Sequence, residues 1–158
     1  MYTLRAAIAV EPVLLALVGP VAEAHAVPLG QDLFLLPVSY EFIKAATIPG
    51  AAELAVFWRA PLGFGAALAA CSALGPVAFV EAEIFGGAGT QTAQVWDGGQ
   101  VVLGPVHLAE KEESGPLGSP ISQALRHLGV VKGEHHDEFA AVGLGRHRST
   151  EQWLPSTG

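Results

Sequence analysis

The chain has 158 residues, 51% of them hydrophobic and only 15% charged, and 15 acids against 8 Lys and Arg give a net charge of -7. That length suits one domain with one core, and the low charge content leaves apolar surface available for a partner. The acidic balance excludes the electrostatic footprint of a nucleic-acid binder and weakly favours a basic partner.

From the N-terminus, Tyr2–Val10 is a short apolar run that reads as a strand. Glu11-Pro12 opens a helix, with Pro at the first helical position and an acid suited to the helix dipole, and Gly19-Pro20 ends it. Arg5, the apolar residues after it and Ala24-His25-Ala26 imitate a secretory signal. Glu11 and Pro12 interrupt that pattern, so a cytoplasmic location is expected, with secretion as the minority alternative. Val21–Val27 and Leu33–Val38 read as two strands of a hairpin around the turn residues Pro28 to Asp32. A lone His25 in the first of them reads as structural.

Ser39 is placed to cap a helix over Tyr40–Thr47 that buries Phe42, Ile43 and Ala46. Residues 51–59 suit both a helix and a strand. The helix is preferred, with Trp58 in the core and Arg59 reaching solvent. Ala60–Val80 carries no charge over a span long enough to cross a bilayer. Pro61 and Gly75-Pro76 break it, so a buried helix over Gly63–Leu74 followed by a strand is expected, and no membrane span. The single cysteine, Cys71, rules out an intramolecular disulfide and a Cys-based metal site. Set among Ala69, Ala70, Ala73 and Leu74, it reads as a buried, inert thiol.

Val77–Leu103 reads as a three-strand meander at the centre of the sheet. Gly86-Gly87-Ala88-Gly89 and Asp97-Gly98-Gly99 supply its turns, where glycine meets positive φ without steric cost. The first glycine cluster lacks the spacing and the following helix of a dinucleotide or phosphate loop. Residues 109–116 form an exposed loop. Ser119-Pro120 then starts the clearest helix, with Ile121, Ala124, Leu125 and Leu128 as its apolar stripe and Gly129 at its end. A short helix follows over Asp137–Val142, ending at Gly143. Ser149 and Gln152 fit a capping box that opens a last turn pinned by Trp153 and Leu154. These elements predict a single α+β domain over 1–154, a mainly antiparallel sheet with helices packed on one face, and a frayed tail at 155–158.

Four groups of residues bear on chemistry. Alternation along Val77–Phe85 sets Glu81 and Glu83 on one face, one strand repeat apart. Such a pair can act as acid and base or hold a hard cation. With Thr92 and Gln94 opposite the glutamates, the face becomes a polar patch. A site using Glu81, Glu83 and Gln91 beside the Gly86–Gly89 turn is the enzyme or ligand-binding alternative. The simpler reading is a solvated face whose glutamates guard a sticky strand. His135, His136, Asp137 and His147 are the weak metal candidates, without a recognised ligand spacing. His136 and Asp137 suit a helix cap equally well. Arg146-His147-Arg148 is the one basic cluster, fit for an anionic partner or for pairing with Glu110, Glu112 and Glu113. No nucleophile–base arrangement is legible, and G-x-S-x-G is absent.

The stretches EAEIFGGAGTQTAQVWDGG and LGRHRSTEQWL resemble uncharacterised bacterial proteins of this size, a resemblance that implies no activity or cofactor. In size, charge and α+β pattern the chain is also similar to small acidic bacterial immunity proteins. The expectation is a cytoplasmic interaction protein without catalysis, immunity-like, that binds a protein partner or itself, with no cofactor.

Overall fold

Ala6–Ala9 and Val77–Val80 are unbroken apolar runs, and every residue in both is fully buried. Continuous runs of this kind belong to strands covered on both faces. The computed structural model describes residues 1–86, 88–110 and 112–155 and shows that arrangement. β1 (Tyr2–Ala9), β2 (Val27–Pro28), β3 (Phe34–Pro37), β4 (Val77–Phe85), β5 (Ala88–Asp97) and β6 (Gln100–Leu108) form one sheet in the order β2-β3-β1-β4-β5-β6. Every neighbouring pair is antiparallel. The α+β class expected from the sequence is thus the observed one, and β4 to β6 are the expected meander, but they form one side of the sheet with β6 at its edge and not its centre.

Helices cover both faces of the sheet, not one. On the first face, Leu4, Ile8, Val80 and Val95 pack against Ile121 and Leu125 of α4 (Pro120–His127) and Val142 of α5 (Glu138–Val142). On the second, Ala7, Val77, Phe79 and Trp96 pack against α1 (Glu11–Val18), α2 (Tyr40–Ala46) and α3 (Phe64–Cys71) through Leu14, Phe42, Phe64 and Leu68. Phe64 and Phe79 meet edge to face at 5.3 Å. Each Val, Leu, Ile or Phe side chain buried this fully contributes roughly 1.5–3 kcal/mol.

Local signals explain the helix ends. The Ser39 hydroxyl accepts from the Phe42 amide, and the Ser119 hydroxyl accepts from the Ser122 amide. Asp137 caps α5 by accepting from the Ala140 amide at 2.8 Å. Asp97 pairs with Gln100 across Gly98 and Gly99, both at positive φ, as a two-residue hairpin turn requires. Ser72, just past α3, accepts the Gly99 amide at 2.8 Å and gives its own proton to the Ala69 carbonyl. One hydroxyl therefore ties the end of α3 to the β5–β6 turn.

Two expected elements do not form. Residues 21–26 take turns and irregular backbone, so the hairpin before α2 shrinks to β2 and β3, and His25 lies exposed outside any strand. Residues 51–59 are an irregular loop instead of a helix. In that loop Phe57 is buried against Phe79, with ring centroids 4.6 Å apart. Trp58, expected in the core, is 72% exposed.

β3 pairs only with the second half of β1. Beside the first half lies the segment at 148–150: Thr3 donates to the Arg148 carbonyl at 2.8 Å, and the Arg5 amide donates to the Thr150 hydroxyl at 2.9 Å. The Tyr2 hydroxyl, its pKa pushed up by burial, donates to the Leu144 carbonyl. The expected Ser149–Gln152 capping box is formed, and Trp153 is buried beneath it. Among the described residues, no helix is long and apolar enough to cross a membrane. Gly87 of the glycine turn, Lys111 of the acidic loop and 156–158 of the expected tail lie outside the described residues.

Candidate functional site

Strand register brings Arg5, Glu81, Thr92 and His107 into one row across β1, β4, β5 and β6. The next row holds Thr3, Glu83 and Thr90. Both rows lie on the face that carries Val77, Phe79 and Trp96, because strand side chains alternate. Helices cover the apolar half of this face, and the polar half extends past them. Glu81 and Glu83 therefore do point the same way, as alternation predicts. Thr92 stands opposite Glu81, whereas Gln94 stands opposite Phe79.

The two glutamates have different surroundings. The Glu81 carboxylate accepts from Arg5 Nε at 3.0 Å, from the Trp58 amide at 2.9 Å and from the Arg59 amide at 2.9 Å. Its side chain is only 12% exposed. Both oxygens are occupied, and the group acts as a clamp holding the 51–62 loop to the sheet. Glu83 is half-buried. Arg5, Trp58, the two glutamates, Thr90 and Thr92 enclose about 30 Å³, room for a water and not for a substrate. Gln91 is on the opposite face, where its side-chain oxygen accepts the Ile121 amide at the start of α4. It does not join Glu81 and Glu83. Thr92 and His107 share a hydrogen bond of 2.8 Å between Oγ1 and Nδ1.

The metal candidates do not converge. Asp137 serves as the cap of α5, and His147 lies edge-on to the Trp153 ring at 4.7 Å. His136 and Asp137 border an open cleft of about 390 Å³ shared with Lys132, Arg126 and Glu138, the last two 3.6 Å apart. Among the described residues, no three His, Cys, Asp or Glu side chains gather as a metal site would require. The basic cluster is part of the scaffold. Arg146 donates to the Pro28 carbonyl at 2.6 Å and to the Gly143 carbonyl, and its guanidinium sits 5.1 Å from the Trp153 ring centroid. The expected pairing with the loop glutamates is not among the ion pairs of the described residues, which are Arg5–Glu81 and Arg126–Glu138. Cys71 is buried and donates to the Leu68 carbonyl, and burial pushes its pKa up to about 11.

Beside the clamped loop runs a groove of about 330 Å³ between α2 and the loop, walled by Tyr40, Ile43, Leu54, Phe57 and Trp58. Glu53 and Arg59 stand in the same wall. The apolar character of residues 51–59 places Trp58 in the core and so gives no sign of this groove. The two neighbours take opposite fates, Phe57 buried and Trp58 exposed, and nothing in the local sequence distinguishes them. No family model, curated protein or solved structure matches this chain.

Proposed function

We propose that the chain is a protein-interaction protein without catalysis, and that it docks through the face built by residues 40–62. The observation that carries this reading is the use made of Glu81. The best-placed carboxylate is spent on two backbone amides and Arg5, and the loop it fixes presents Trp58 to solvent along a groove of mixed polar and apolar lining. Trp is among the residues enriched as anchors in protein interfaces. A large aromatic left in water is otherwise costly, and its backbone is fixed at just this position.

The enzyme alternative draws less support from the geometry. Its three residues divide between two faces of the sheet, and the space beside the glutamates has room for only a water. An immunity-like inhibitor of a basic toxin is one form of the proposed role. The groove wall carries one acid and one base, which does not favour a basic partner locally, so the proposal stays at protein interaction.

The test is affinity capture from a lysate of the native host, with immobilised wild type and Trp58→Ala in parallel. Recovery of one stoichiometric protein by wild type, sharply reduced by Trp58→Ala, is expected, and a second copy of this chain counts as such a protein. Equal recovery by both forms, or recovery of nothing by either, overturns the assignment of this face.

A further inference from the structure

We infer that the occupant of the Trp58 groove is a second copy of this chain, joined by a two-fold axis that places Trp58 of each copy in the groove of the other. This rests on the reading of the 40–62 face as a docking surface. An interface of this symmetry must be its own complement, because the same patch meets itself. The groove meets that condition in shape and in charge. It offers a projecting anchor, Trp58, beside a recess of about 330 Å³. Its wall holds one carboxylate, Glu53, and one guanidinium, Arg59. Neither takes part in an ion pair among the described residues. Across a two-fold axis, Glu53 of each copy faces Arg59 of the other, so both signs are matched twice.

With 15 acids against 8 Lys and Arg, two copies repel each other overall, so a contact between them is favoured where the surface carries both signs, as the groove wall does. Tyr40, more than half exposed, lines the groove with Trp58, and Ile48 and Val56 are exposed on the same stretch of chain. A standard interface needs about 800 Å² from each partner, roughly a tenth of this chain's 8150 Å² surface.

Sedimentation equilibrium of the full chain, from about 1 µM to about 1 mM to cover weak contacts, tests the inference. Wild type is expected to show a reversible monomer–dimer equilibrium. Trp58→Ala should weaken it by at least about tenfold. Because the indole is exposed and its loop is held by the backbone amide, this variant keeps the fold, which circular dichroism checks. Glu53→Arg and Arg59→Glu should each weaken the dimer, and the double exchange should restore it. A chain monomeric throughout, or a dimer indifferent to Trp58 and to the exchange, overturns the inference. A monomeric chain that still captures a different protein in a Trp58-dependent way leaves the interaction reading standing and removes only the second copy. A chain that neither dimerises nor captures any protein removes both.

Discussion

Arg5 and Glu81 face each other across the β1–β4 ladder with Nε and Oε2 3.0 Å apart, and their side chains are only 19% and 12% exposed. The pair does more than join two strands. The same carboxylate accepts the amides of Trp58 and Arg59, so one side chain sets both the sheet and the loop above it.

Glu81→Ala should therefore lower unfolding stability by about 3–5 kcal/mol, since it leaves the Arg5 charge and two amides without their acceptor. Glu81→Gln keeps acceptor capacity and should cost less. Urea unfolding measures both changes. Limited proteolysis should cut the alanine variant within residues 51–62, where wild type resists. A loss below about 1 kcal/mol would mean the clamp is an ordinary surface pair.

Val56 has φ 77, a left-handed backbone that a β-branched residue adopts only under strain. Val56→Asn should relieve it and raise stability by about 1 kcal/mol, because Asn tolerates this region. Thermal unfolding reads the change, and a lower melting temperature than wild type would refute it.

Cys71 should behave as a shielded thiol. Burial raises its pKa from 9.0 to about 11, so the folded state favours the protonated form. This contribution to stability is whole below pH 9.0 and is lost as the pH rises toward about 11. Alkylation by iodoacetamide should be slow at neutral pH and climb only in that alkaline window. Reaction at the rate of a small free thiol at pH 7 would contradict the assignment.

Ser72→Ala should cost about 1–3 kcal/mol, because a fully buried hydroxyl links the Ala69 carbonyl to the Gly99 amide and its loss leaves the amide unmatched. Amide hydrogen exchange at Gly99 should accelerate in the variant. Unchanged exchange would show that the turn holds without it.

Local chemistry made much of this fold readable from the sequence. Ser39, Ser119, Asp137 and the Ser149–Gln152 box each start the element they announce, because a cap is satisfied within a few residues. The failures involve distant partners. Residues 51–59 have a passable helical pattern, but Glu81, more than twenty positions away, takes the amides of Trp58 and Arg59 and holds the backbone open. The two-sided covering was visible in the unbroken runs Ala6–Ala9 and Val77–Val80. It was overlooked because the alternation of Glu81 and Glu83 later in the same strand suggested a half-exposed sheet. Of the candidate site, the shared direction of the two glutamates was legible. What was not legible is that one of them is fully occupied, which depends on where a loop returns.

Residues 148–150 lie along the half of β1 that β3 leaves bare, contacting Thr3 and Arg5. The sheet thus closes between positions separated by some 145 places in the chain. During synthesis, Tyr2–Arg5 are made long before residues 148–150, and this flank stays bare until those residues emerge. An interior strand is in that interval an open edge, able to recruit a neighbouring nascent chain. The first half of β1 is accordingly expected to gain its second neighbour only once residues 148–150 are available to fold back on it.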